Sequence, residues 1–177
     1  MVPGREVNHG ENTLWERSTY VPLVFVGPGV AAGRCVQPVE LLDVYPILIE
    51  LCALSEQGGL EGHSLVPQLG DAAARRKWPT VTTANHDNHA VRTNDWRYIR
   101  YADGSEELYD MRSDVNEWHN RAGDENFADI IVKHRRWLPR VNTPPAPGSR
   151  SRVLVYRNGK ATWEGQEVTE GSAVPGL

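Results

Sequence analysis

Thr80-Val81-Thr82-Thr83-Ala84, His89-Ala90-Val91-Arg92-Thr93, Trp96-Arg97-Tyr98-Ile99-Arg100-Tyr101 and Glu107-Leu108-Tyr109-Asp110-Met111 follow one another with a period of two. Four short runs of this kind predict four antiparallel strands. Asn94-Asp95 supplies a tight turn between the second and third, and Ala102 to Glu106, with Asp103-Gly104, supplies the next. Alternation places Trp96, Tyr98 and Arg100 on one face and Arg97, Ile99 and Tyr101 on the other. Downstream, Phe127, Ile130, Ile131, His134 and Leu138 mark one side of a helix opened by Asp124 and stopped before Pro139. A meander followed by a covering helix is a small α+β unit.

Upstream the pattern changes. Val21-Pro22-Leu23-Val24-Phe25-Val26, closed by Gly27-Pro28-Gly29, is a continuous apolar run that predicts a strand buried on both faces. Such strands belong to parallel sheets covered by helices, and this chain has one clear example. Asp43 is the expected N-cap of a helix with Ile47, Leu48, Leu51 and Leu54 on its apolar side and Cys52 as a small buried hydrophobe. Ser64 and Pro67 open a second, short helix, and residues 70–79 read as loop. Asn142 to Ser151 is a Pro-rich linker, Arg157-Asn158-Gly159-Lys160 is a hairpin turn, and the last dozen residues are expected to be irregular.

Composition narrows the function classes. The 177 residues carry 19 Lys+Arg against 23 Asp+Glu, a net charge of −4, which argues against a nucleic-acid or anionic-membrane binder. No apolar run approaches the ~18 residues of a membrane span, and Met1 to Glu6 has no apolar segment of a signal peptide. Cys35 and Cys52 form no metal-ligand spacing. His86-Asp87-Asn88-His89 is the densest set of potential metal ligands, but it lacks a third or fourth partner and reads as a polar loop. Arg92, Trp96, Arg97, Tyr98, Arg100 and Tyr101 mimic a nucleic-acid platform, yet the alternation splits them between two faces. Trp118 and Trp137 are expected in a core or an interface.

The order of the segments is more informative than any one of them. Thr13-Leu14-Trp15-Glu16-Arg17-Ser18-Thr19-Tyr20-Val21-Pro22-Leu23 and Gly27-Pro28-Gly29-Val30 come first. Val39-Glu40-Leu41-Leu42-Asp43-Val44-Tyr45-Pro46 and Leu60-Glu61-Gly62-His63-Ser64-Leu65 follow, and then the strands above with Asn116-Glu117-Trp118. In that order and spacing, from about residue 9 to Leu138, the chain resembles the C-terminal portion of the formylglycine-dependent sulfatases. It is most similar to bacterial enzymes of the iduronate-sulfatase and choline-sulfatase kind.

The resemblance implies an α/β fold in two parts. Residues 1–75 would be a remnant of the alkaline-phosphatase-like α/β catalytic domain. Residues 76–140 would be a small α+β subdomain of a four-stranded antiparallel sheet plus helix, and 141–177 a linker, hairpin and tail. It also implies hydrolysis of sulfate esters by a formylglycine made from a Cys-x-Pro-x-Arg motif, with a calcium ion on the sulfate. Cys35-Val36-Gln37-Pro38 and Cys52-Ala53-Leu54-Ser55 do not fit that motif. Read without gaps, the resemblance puts Glu11 where a sulfate-binding lysine is expected; read with a deletion, Asn8-His9 resembles a degenerate metal pair and the lysine segment is gone. By resemblance His89 and Arg92 are the substrate-binding candidates, the histidine donating to a sugar hydroxyl and the arginine gripping an anion; a backbone-bonded strand histidine is the plain alternative for His89. The expectation is a sulfatase portion inactive alone, needing no cofactor of its own while calcium and formylglycine serve the full-length family. The alternative is a non-catalytic module that completes a separately encoded N-terminal half or holds a homo-oligomer together. A phosphoester or phosphonate hydrolase of the same superfamily differs only in residues these segments do not include.

Overall fold

The computed structural model describes residues 13–144, 146, 154–157, 159–163, 166–169 and 171. Its elements run α1 (Glu16–Thr19), α2 (Val44–Leu51), α3 (Val66–Gly70), β1 (Thr80–Thr83), β2 (His89–Arg92), β3 (Trp96–Arg100), β4 (Glu106–Asp110), α4 (Ala128–Arg135), β5 (Leu154–Arg157), β6 (Lys160–Trp163) and β7 (Gln166–Val168), with 3-10 turns at Leu41–Asp43 and Glu125–Phe127.

The four expected strands form one antiparallel sheet in the order β1-β2-β3-β4. Val91 pairs with Tyr98 and Tyr98 with Leu108, so these three share a face. They bury Ile131 of α4, with Phe127, Ile130 and Leu138 around it. The opposite face carries Ala90, Ile99 and Tyr109 and is covered by Leu14, beside Met111 and Trp15. The sheet is therefore enclosed on both sides, by the C-terminal helix and by the segment that leads into α1. Thr93 N–H to Trp96 O at 2.9 Å closes the Asn94-Asp95 turn, and Gly104, at φ +84, turns the next.

Both free edges of the sheet are occupied by side chains. Glu40 accepts the Val81 N–H of β1 at 2.8 Å. On β4, the Asn120 amide accepts from Leu108 N–H at 3.0 Å and donates to Glu106 O at 3.1 Å, imitating a fifth strand. Unpaired edges recruit other chains, and capping them prevents it.

The upstream half departs from the sequence reading. Residues 21–26 are not a strand: they are extended but belong to no ladder, and Val24 and Val26 are 78% and 95% exposed. A strand of this type needs neighbours on both sides, and no described strand lies beside it. Helix α2 buries Ile47 and Ile49, while Leu48, Leu51 and Leu54 are exposed, as are Tyr45 and Leu41 (70%). Cys52 is also exposed, not buried, and both cysteines are free thiols.

Asp43 does not cap α2 through its side chain. Its fully buried carboxylate accepts from Glu40 N–H at 2.9 Å and His63 N–H at 2.7 Å and pairs with Arg76 at 2.7 Å. The chain passes so close that a Cβ on Gly62 would stand 2.0 Å from Leu42 O. The downstream hairpin forms as expected. Within the stretch expected to be irregular, Gln166–Val168 adds β7 to a three-stranded sheet of order β5-β6-β7.

Candidate functional site

His89 begins β2, opposite Thr83 and Arg100. Its ring is buried, with Nδ1 2.9 Å from Thr83 Oγ1 and Nε2 3.3 Å from the Asn142 amide nitrogen. An amide N–H can only donate, so Nε2 accepts and the proton sits on Nδ1 toward Thr83. Burial holds the imidazole below its ordinary pKa, against the pull of Asp87. This is a neutral histidine tied to its own fold.

The loop before it is wound tightly by Asn85 and Asp87, both at positive φ (56° and 64°). Asn88 closes it, donating to His86 O at 2.9 Å. Asp87 bonds the Asn142 amide and lies 3.1 Å from His86. Asp87 and His89 both meet the Asn142 amide nitrogen, so the point on which they converge is filled by a side chain of the fold itself. Among the described residues no group of three His, Cys, Asp or Glu could hold a metal ion. The residues described thus do not fit a calcium site, and Asn8 and His9, the pair that resembles metal ligands, lie outside the described residues.

Arg92 lies three positions along β2 and so on the opposite face from His89, and the structure does not bring the two together. Its Nε pairs with Glu16 at 3.1 Å and its Nη1 donates to Asn94 O at 3.0 Å and to Thr93 O. With Arg34, Thr82 and Phe25 it lines an open cleft of about 1390 Å³ between residues 20–42 and β1.

The strongest polar cluster was not singled out by the sequence. Arg97, with 3% of its side chain exposed, donates to Leu14 O at 2.8 Å and Thr19 Oγ1 at 3.2 Å. It also pairs with Glu16 and, at 2.8 Å, with Glu117, whose second oxygen accepts Glu16 N–H at 2.9 Å. Trp15 Nε1 and Tyr109 OH both donate to Glu107, at 3.0 and 2.9 Å. Burial pushes the Glu16 carboxyl up, but Arg97 and Arg92 outweigh it and hold the group below its usual range. For Glu117 burial wins over Arg97 and its pKa is raised. Glu117 itself sits at φ +58, unusual for a residue with a side chain. Alternation placed Arg97 away from Tyr98; nothing local in the sequence marked its partners 80 residues upstream and 20 downstream. Trp118, expected in a core or interface, is 77% exposed, and Trp137 is exposed as well.

Comparison with known proteins agrees with this architecture. The family model for the C-terminal part of N-sulphoglucosamine sulphohydrolase matches residues 8–143. The chain is 38% identical over 140 residues to a sulfatase of Formosa agariphila, covering 78% of this chain and 28% of that protein. It is 34% identical over 131 residues to arylsulfatase K of Danio rerio (67% and 25%). Over 141 residues it is 30% identical to a Delta 4,5-hexuronate-2-O-sulfatase of Bacteroides thetaiotaomicron (71% and 29%). The chain thus spans between 25% and 29% of the length of these relatives. Among solved structures, a sulfatase candidate from Bacteroides thetaiotaomicron superposes with a TM-score of 0.58 at 28% identity, over 70% of this chain and 30% of that one. A 2-O GAG sulfatase superposes with 0.53 at 27% identity, over 64% and 27%.

Proposed function

The chain belongs to the sulfatase family as its C-terminal portion, and from that premise we propose that it serves a sulfuric ester hydrolase acting on sulfated sugars, and that these 177 residues alone do not hydrolyse the ester. The names of two relatives, a hexuronate-2-O-sulfatase and a 2-O GAG sulfatase, support sugar sulfates as the substrate class. Incompetence alone is supported by the residues present: neither Cys35 nor Cys52 begins a Cys-x-Pro-x-Arg sequence, and no lysine precedes Lys77, Glu11 taking the lysine position in the gapless reading of the resemblance. In the proposal, formylglycine and calcium belong to the remaining part of the family fold. Arg92 is the stronger of the two substrate-contact candidates, because it lines the cleft and its Nη2 has no hydrogen-bond partner among the described residues. His89 does not line the cleft and meets it only through its bond to Thr83, a lining residue.

The observation that carries the proposal is the uncovered apolar surface upstream of the sheet. Val24, Val26, Leu41, Leu48 and Leu51 are all exposed, whereas the downstream sheet is enclosed. Apolar surface of this extent marks a missing partner. It favours, as the second reading, a module that completes a separately supplied α/β half. The test is an assay with an aryl sulfate and calcium, first with this chain alone and then after co-expression with the N-terminal three quarters of a homologous sulfatase. No turnover alone and sulfate release on complementation are expected. Turnover by the isolated chain, above background and abolished by no change in the partner, would refute the reading.

A further inference from the structure

Residues 71–77 follow α3 with a turn closed by Ala74 N–H to Asp71 O at 2.9 Å and then run without regular structure, their burial alternating along the chain. Asp71, Ala73, Arg75 and Lys77 are exposed, and Ala72, Ala74 and Arg76 are turned inward. Arg76 is the inward charge: only 4% of its side chain is exposed, it pairs with Asp43 at 2.7 Å, and its Nε donates to Trp78 O at 3.0 Å. The two outward cations, Arg75 and Lys77, have no carboxylate partner among the described residues. Two positions apart, both stand on the exposed side of the segment.

Beside them lies a pocket of about 210 Å³ lined by Ser64, Gln68, Arg75, Arg76, Lys77 and Trp78. Its walls are held in place. The Gln68 amide donates to Ala74 O at 3.2 Å, and the Trp78 indole stacks on His63 with ring centres 3.9 Å apart while 40% of the residue stays exposed. The Asp43 and Glu40 carboxylates that face Arg76 lie behind it, toward the protein. A second basic run with a tryptophan, Lys133 to Trp137, has an ordinary explanation. It forms the last turn of α4, where cations complement the helix dipole, and its Arg135 pairs with Glu106 at 2.5 Å. No helix terminus or acidic partner accounts for Arg75 and Lys77.

We propose that Arg75, Lys77 and Trp78 form a binding site for an anionic oligosaccharide, with one sugar ring lying against the indole and its sulfate or carboxylate groups held by the two cations. The volume is below the ~300–1,000 Å³ of pockets that engulf a ligand, so the site takes one ring of a longer chain. An apolar ring face and an aromatic plane fit each other, and guanidinium donors match the oxygens of a sulfate. This inference rests on the reading above that the substrate class is sulfated sugars, but it is tested by binding, without turnover.

The experiment titrates the full chain with a sulfated hexuronate–hexosamine hexasaccharide and follows binding by calorimetry. The same sugar with its sulfates removed and a DNA oligonucleotide of matched charge are run in parallel. The sulfated sugar should bind, more weakly as salt rises. The desulfated sugar and the DNA should bind at least about tenfold more weakly, the loss expected for about 1.4 kcal/mol. Arg75→Ser with Lys77→Ser should weaken the sulfated sugar about tenfold, a loss of the same size, and leave the melting temperature unchanged. Lys133→Ser with Arg136→Ser should leave binding unchanged. The proposal is overturned if the Arg75/Lys77 double variant binds as the parent does, if DNA binds equally well, or if the Lys133/Arg136 variant loses as much. A complemented enzyme that releases no sulfate from any sulfated sugar would instead overturn the functional reading, whatever the titration gives.

Discussion

Replacing Arg97 by methionine tests what joins the N-terminal segment to the sheet. The guanidinium is buried between β3 and residues 14–19, bonding Leu14 O and Thr19 and pairing with Glu16 and Glu117. Methionine keeps the apolar stem and much of the volume, so the change isolates the charge. It leaves the Glu117 carboxylate, with 5% of its side chain exposed, without its cation. Removing one member of a buried pair costs about 3–5 kcal/mol, because the remaining charge stays desolvated. A shift of about 2–4 °C per kcal/mol is usual for chains of this length, so melting should fall by roughly 6–20 °C. Urea unfolding at pH 7 gives the free energy, and hydrogen exchange at residues 14–19 shows whether this segment is released first. Arg97→Met with Glu117→Gln removes both charges and should be more stable than Arg97→Met alone. The reasoning is refuted if Arg97→Met costs less than about 1 kcal/mol, well short of the penalty for an orphaned buried charge, or if the double variant is the weaker of the two.

Asn120→Ala removes the side chain that closes the β4 edge. It should cost about 1 kcal/mol, the net value of a hydrogen bond, and produce concentration-dependent self-association in light scattering; a variant that scatters like the parent at every concentration would show that the edge needs no cap. Acid should also destabilise the fold through histidine. Burial is the leading cause that holds His63, His89 and His134 below their ordinary pKa, and His134 donates Nδ1–H to Ile130 O at 2.7 Å. The unfolded histidines, near pH 6.5, bind protons that the folded ones refuse. Stability is therefore full above about pH 6.5 and falls as pH drops through it. Glu117 titrates in the opposite sense, its raised pKa favouring the fold as pH falls. The comparison is accordingly His134→Gln against the parent between pH 7.5 and 5, and the variant should show the shallower decline in urea midpoint; equal slopes would remove His134 from the account.

The difference between what was legible and what was not lies in the range of the interactions. The four strands and α4 appear where their periods place them, because each strand pairs with its neighbour in sequence and Thr93-Asn94-Asp95-Trp96 encodes its own turn. Alternation even assigned Tyr98 and Ile99 to their separate cores. Residues 21–26 have the composition of a doubly buried strand, but composition specifies an environment and does not supply it. Without a ladder partner the backbone stays extended and Val24 and Val26 face outward. The same holds for α2, whose predicted face is only partly covered: Ile47 is buried, together with Ile49 from outside that face, whereas Leu48, Leu51 and Leu54 are exposed. The Arg97 cluster failed differently, since its partners Glu16 and Glu117 are fixed only once Leu14 has packed on the sheet.

These two kinds of surface bear on how the chain would meet a complementing sulfatase half, as proposed above. The downstream unit is finished: both sheet faces are covered, both edges are capped by Glu40 and Asn120, and its buried charges are paired. Its sheet offers a partner neither an open face nor an uncapped edge, although Trp118 and Trp137 stand exposed outside it. The upstream segments are the reverse, with apolar side chains outward and an extended run that has no ladder. Yet the two are bonded to each other, since Glu40 reaches from the upstream turn to the Val81 N–H and Arg97 reaches from the sheet to Leu14 O. A partner that covered Val24, Val26 and the Leu41–Leu51 face would therefore fix the position of the cleft and of Arg92 without touching the sheet. On the complementation reading proposed above, the small sheet would act as a preformed rim and the segments upstream of it would be where assembly takes place.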